Sequence, residues 1–324
     1  MIWGRKRKTQ TVSGEVSTWE RELVEKVVTA SLTEGRRARR WGIFFKLLTF
    51  AYLIVLLVLL MPDQWPDMAK ETDEHTALVE IKGVIAPGAK ASADNVVTGL
   101  RDAYEDDKTK GIILRINSPG GSPVQAGYIN DEIRRLRKEH PDTPVYAVIS
   151  DICASGGYYV ASAADKIYAD KASIVGSIGV RMDGFGFVDT IEKLGIERRL
   201  VTAGEHKAFL DPFLPSKPAD VEHIETLLVD IHDQFINAVK DGRGDRLKET
   251  EDLFSGLIWT GDQSVEIGLV DELASASQVA RDVVGAEFIV DFSVKPDFFE
   301  RFSMGISAEL GRFLVEKTLT PQLR

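Results

Sequence analysis

The apolar positions of this 324-residue chain fall into three regimes. Residues 42–61, "GIFFKLLTFAYLIVLLVLLM", form one apolar run broken only by Lys46 and Thr49. At 1.5 Å per residue, a helix of about 20 residues spans the ~30 Å hydrocarbon core of a bilayer. From residue 76 the pattern changes to short β-branched runs alternating with amphipathic stretches. "TALVEIKGVI" (76–85), "GIILRI" (111–116), "VYAVIS" (145–150), "KIYAD" (166–170) and "RRLVTAG" (198–204) predict strands. "ADNVVTGLRDAYED" (93–106), "PVQAGYINDEIRRLRKEH" (123–140) and the long segment 218–243 predict helices, as do 261–273 and 276–284. Strand–helix alternation of this kind predicts an α/β fold with a largely parallel sheet. The third regime, from residue 285, carries an amphipathic stretch over 297–319 and no strand–helix alternation.

Charge gives the apolar run a direction. Residues 1–40 hold ten Lys/Arg and five Glu, a local charge of +5, with "RRARR" (36–40) directly before the run. Asp63, Asp67, Glu71, Asp73 and Glu74 follow it. The positive-inside rule then puts the N-terminal segment in the cytoplasm and the body across the membrane. A cleaved signal peptide fits less well, because the run exceeds a 7–15-residue h-region and "MPDQWPDMAK" offers no small-x-small cleavage site. Residues 15–31 have the pattern of an amphipathic helix. Beyond Lys46 the chain carries 45 acidic and 29 basic residues, a charge of −16, which argues against nucleic acid as a partner. The single cysteine, Cys153, excludes an intramolecular disulfide and a thiolate cluster, and the five histidines show no metal-ligand spacing.

The candidate chemistry lies in loops that follow strands, where α/β sheets bind ligands. "NSPGGSP" (117–123) and "CASGGYY" (153–159) are such loops, the second with Ser155 at a helix start. Two turns of this kind side by side would give a nucleophile and an anion-stabilising set of N–H groups. "GSIGV" (176–180) adds a further small-residue turn bearing Ser177. Each has an ordinary alternative: a Pro-Gly-Gly turn is usually only a turn, and a serine before a helix is usually an N-cap. A nucleophile also needs a base. His206 and Lys207 stand 51 and 52 residues after Ser155, and a lysine serves only if burial keeps it neutral. Phe209, Leu210, Phe213 and Leu214 surround Lys207 in sequence, although composition alone makes it a surface residue.

The series "INSPGGSP", "ASGGYY", "ADKIYAD", "GSIGV", "AGEHKAFLDPF" and "IGLVDEL", in this order over residues 76–284, resembles the signal peptide peptidase SppA family, peptidase family S49, in its short single-repeat bacterial form. The resemblance implies a ClpP/crotonase-like βαβ body with one N-terminal transmembrane helix. It implies Ser155 as nucleophile, Lys207 as general base, the N–H groups of Gly121 and Gly156 as oxyanion hole, and Ser177 as the hydroxyl that orients the lysine. His206 has no role in it, and Glu205, beside the base, is a departure expected to face solvent. Cys153 is expected as a small core residue.

The organisation expected is a cytoplasmic segment (1–41), an anchor (42–61), a linker (62–75), an S49 peptidase domain (76–284) and a C-terminal segment (285–324) serving as lid or oligomer contact. The function implied is that of a membrane-anchored serine endopeptidase acting on cleaved signal peptides and other apolar membrane-associated peptides. Its body lies on the extracytoplasmic side of the inner (cell) membrane, in a homo-oligomeric ring whose neighbours contribute to each site. It needs no metal, nucleotide or CoA. The alternatives are an inactive S49-like scaffold and a crotonase-like CoA-binding enzyme.

Overall fold

The computed structural model describes residues 18–60, 73–248 and 250–295, in two compact units divided after Glu71. The described residues of the N-terminal unit form one helix, α1 (Thr18–Leu60, 43 residues), whose apolar side chains from Trp41 to Leu56 are exposed. Among the described residues no helix is long and apolar enough to cross a membrane. Of the apolar run, residue 61 and the side chains of residues 57–60 lie outside the described residues. The linker up to residue 72 and the amphipathic stretch 297–319 lie outside the described residues.

The second unit is the expected α/β body. Among the described residues eight strands form one sheet in the order β6-β5-β3-β2-β1-β8, with β4 pairing β3 and β7 pairing β4. They are β1 (His75–Lys82), β2 (Thr109–Ser118), β3 (Val145–Ala154), β4 (Lys166–Ala169), β5 (Ile174–Gly176), β6 (Ile258–Thr260), β7 (Glu272–Leu273) and β8 (Ile289–Asp291). All pairings are parallel except β5 with β6. The central strands are near-continuous apolar runs because both of their faces are covered. Ile81, Ile112, Leu114 and Ile116 face α2 (Ala93–Glu105), α3 (Pro123–Glu139) and α4 (Gly156–Ala161) in the main core. Leu78, Ile113, Val148 and Tyr168 pack on the opposite face against Val279 and Ala280 of a short π-helix (Val279–Val284). Each such buried aliphatic side chain is worth about 1.5–3 kcal/mol of burial.

Local chemistry starts the helices where the sequence predicts. Ser92 and Ser122 accept from the N–H groups of Asn95 and Gln125, and Pro123 occupies the first turn of α3, where its missing N–H costs nothing. Helix α6 (Pro218–Arg243) matches its predicted span. Two expectations fail. Residues 198–204 form no strand: among the described residues no ladder partner takes them up, and Val201 is 96% exposed. The helix expected over 261–273 stops at Glu266 (α7, Gly261–Glu266), because Gly268 turns the chain at φ 82° into β7. Before the first of these, α5 (Val188–Lys193) interrupts an exposed stretch.

Candidate active site

The strand that delivers Ser155 changes neighbours along its length. Tyr146–Ile149 of β3 pair with β4, whereas Ile152–Ala154 pair with β5. The register against β2 shifts at the same place: Ile116 lies opposite Ile149, but Ser118 lies opposite Cys153. The extra residues on β3 form a bulge, which re-aims the end of a strand. Ser155 follows directly, with φ 53° and ψ −124°. This backbone is costly for a residue with a Cβ, of order 1–3 kcal/mol, and such strain gathers at functional sites. Ser155 occupies the N-cap position of α4, yet its side chain makes no cap hydrogen bond. The ordinary explanation for a serine before a helix therefore does not account for it.

The glycine turn after β2 lies against this elbow. A Cβ on Gly120 (φ 97°) would stand 2.7 Å from both the Gly156 nitrogen and the Ser155 Cβ. A Cβ on Gly121 would collide with the Ile85 carbonyl, because Gly121 forms a parallel bridge to Ile85. That bridge is closed by Ile85 N–H to the Gly120 carbonyl (2.9 Å) and Ser122 N–H to the Ile85 carbonyl (2.8 Å). Ser118 Oγ accepts from Gly120 N–H at 3.1 Å and holds the turn from beneath. The Gly121 nitrogen comes within 3.3 Å of where a Gly156 Cβ would be. The two predicted oxyanion donors are thus neighbours, and among the described residues neither N–H has a hydrogen-bond acceptor. Gly156 also begins a helix, whose partial positive charge favours an anion there.

Ser177 joins the same cluster. Ala154 pairs with Gly176, so Ser155 and Ser177 leave the ends of β3 and β5 together. Ser155 N–H donates to the Gly176 carbonyl at 2.8 Å, and Ser177 N–H donates to the Leu257 carbonyl at 2.7 Å. Like Ser155, Ser177 has a positive φ, 51°. Beside Ser155, Gly121 and Gly156 opens a cavity of about 430 Å³ with apolar walls that include Tyr159 and Phe235. Its size is that of a small-ligand pocket.

Lys207 stands in an exposed stretch, residues 192–207. Its side chain is exposed and does not line the cavity. Phe209 and Phe213, whose apolar character predicts burial, are 42% and 36% exposed. Glu205 is exposed, as expected. His206 is 70% exposed, with Nδ1 3.4 Å from an oxygen of the buried Asp220 carboxylate. Cys153 is buried in the core, and burial pushes its thiol far above the usual range, so it is a packing residue.

The family model for peptidase family S49 matches residues 137–285. A protein from Synechocystis sp. that carries a protease name is 30% identical over 226 residues, which cover 69% of this chain and 79% of that one. The chain belongs to peptidase family S49. An Enterococcus faecium protein that carries the name signal peptide peptidase SppA is 30% identical over 226 residues, 67% of this chain and 64% of that one. A Brucella abortus protein named Na+/H+ antiporter NhaA is 40% identical over 225 residues, 68% of this chain. This chain spans only 30% of that protein's length, so the antiporter name describes a molecule mostly outside the match.

The S49 match contains Ser155, Gly156, Ser177 and Lys207 but not Gly121, which the β2–β3 pairing carries in from the N-terminal side. Three supporting residues escaped the sequence analysis: Ser118, Ile85 and Leu257, which hold the S49 turns through the bonds described above. Only Ser118, inside "NSPGG", had a local signal.

Proposed function

We propose that this protein is a membrane-anchored serine endopeptidase with a Ser-Lys dyad. In this account Ser155 attacks the peptide carbonyl, and Gly121 and Gly156 N–H groups receive the developing oxyanion. An acyl-enzyme forms, and water then releases it. Lys207 takes the serine proton, with Ser177 orienting it. The observation that carries this reading is Ser155 itself: a strained elbow residue whose hydroxyl caps nothing, beside two unpaired N–H groups.

A lysine works as a base only when desolvated, and a single chain leaves Lys207 exposed. We therefore assign the dyad to two copies, Ser155 of one and Lys207 of its neighbour, within a homo-oligomeric ring. The exposed apolar side chains Phe185, Phe187, Phe209 and Leu210 around the lysine segment support burial there on assembly. The apolar run 42–61, preceded by "RRARR", is the anchor of this reading. The body then lies on the extracytoplasmic side, and its substrates are cleaved signal peptides and other apolar peptides of the membrane. That substrate class draws on the relative named signal peptide peptidase SppA.

Two inactive variants test the arrangement. Ser155→Ala and Lys207→Ala chains, each inactive alone, regain activity when co-assembled, because mixed neighbours rebuild some complete sites. A fluorophosphonate probe labels wild type and not Ser155→Ala. Labelling that persists in Ser155→Ala contradicts the nucleophile, and absence of complementation with intact assemblies contradicts the shared dyad.

A further inference from the structure

Among the described residues, the cavity beside Ser155 is lined by one carboxylate, Asp131, and by no lysine or arginine. We propose that this cavity selects a substrate residue with an apolar stem and a cationic end, arginine or lysine, on the acyl side of the cut bond, and that Asp131 recognises the cation. The inference rests on the peptidase function proposed above and deepens it.

Ser155 and Gly156 form one side of the cavity, so the residue whose carbonyl is attacked has its side chain next to this space. The wall is aromatic and apolar: Tyr159 packs on Phe235 with ring centroids 5.1 Å apart, and Phe235 and Ala126 are buried. Such a wall suits a methylene stem, and a guanidinium or ammonium over an aromatic face gains further attraction. Asp131 stands on α3, three residues after Tyr128 and on the same helical face, and its side chain is exposed at the cavity's rim. Among the described residues no ion pair neutralises it. The nearby Arg134 is committed elsewhere, donating to Asn130 Oδ1 at 2.8 Å and to the Ala238 carbonyl at 3.0 Å. The carboxylate also acts on the wall: burial first, and then the Asp131 charge, push the Tyr159 phenol up. An unpaired carboxylate at the open end of an aromatic slot attracts a long cation and repels an acid. Signal peptides carry such cations in their basic n-regions, so the same pocket serves the substrate class proposed above.

The test uses the full chain in detergent and three fluorogenic peptides that differ only in arginine, leucine or glutamate before the cut bond. We expect wild type to prefer arginine over glutamate roughly tenfold in kcat/KM, and Asp131→Asn to reduce that ratio to about twofold. A wild-type ratio near one, or a ratio that Asp131→Asn leaves unchanged, overturns the inference. The same peptides are titrated against Ser155→Ala by fluorescence anisotropy, which needs no turnover. If no form cuts any peptide, the peptidase reading fails, and anisotropy alone decides the pocket. Tighter binding of the arginine peptide than of the glutamate peptide then upholds it, and equal binding overturns it.

Discussion

The N–H of Ser155 donates to the carbonyl of Gly176 at 2.8 Å, so the bond that ends the β3–β5 ladder also positions the candidate nucleophile. Gly176 is followed by Ser177, and both serines have left-handed φ values. Strand pairing, rather than the chemistry of a single turn, holds the two hydroxyl residues together. Their geometry is therefore as rigid as the sheet that supplies it.

The strain at Ser155 gives a stability prediction of unusual sign. Ser155→Gly removes the Cβ from a φ of 53°, so it should stabilise the fold by about 1 kcal/mol. Ser155→Ala keeps the Cβ and should gain nothing. Both should lack peptidase activity. Chemical denaturation of the three forms checks the order, and a Ser155→Gly protein less stable than Ser155→Ala contradicts the strain assignment.

Gly120→Ala should cost activity without removing any functional group. Its new Cβ would press on the Gly156 nitrogen and the Ser155 Cβ, each 2.7 Å away, and displace the proposed oxyanion donor. Misplacing one such donor costs on the order of 10²–10³ in kcat. Steady-state kinetics on a variant with wild-type circular dichroism tests this; kcat within about threefold of wild type would refute it.

Acid should weaken the body through Asp271. Burial alone would raise its carboxyl. Hydrogen bonds from Arg243 (2.8 Å) and the Ile167 N–H (2.7 Å), with the charges of Arg243 and Arg246, instead hold it below the usual carboxylate range. A depressed carboxyl contributes stability fully above its unfolded value, near 4, and loses it as pH falls through the lower folded value. Asp271→Asn should be less stable at pH 7 by roughly 3 kcal/mol, because the buried Arg243 loses its counterion. It should also lose less between pH 5 and 3 than wild type. Urea unfolding across that range measures both effects, and parallel pH profiles would contradict the assignment.

Much of the body was legible because its central strands are buried on both faces and read as unbroken apolar runs. Helices 93–105, 123–139 and 218–243 carry their own start signals. Strands β5 to β8, two or three residues each, are too short to show a period. "RRLVTAG" has the composition of a strand, but among the described residues none pairs with it in a ladder. At the site, Gly121, Ser155, Gly156 and Ser177 were visible as turn residues flanking strands. Their convergence depends on the β3 bulge between Ile149 and Cys153, opposite Ile116 to Ser118, a long-range pairing that no local pattern announces. The setting of Lys207 has no local signal, because apolar neighbours in sequence imply burial only where another surface covers them.

The base is the central claim, and His206, with the Asp220 carboxylate behind it, is the residue to test it against. The most direct measurement is peptidase activity of the full chain and its Ser155→Ala, Lys207→Ala and His206→Ala variants on one fluorogenic peptide. Activity lost by orders of magnitude in the first two and retained in the third is the result predicted. Activity retained in Lys207→Ala and lost in His206→Ala would contradict the Ser-Lys dyad and make His206 the base.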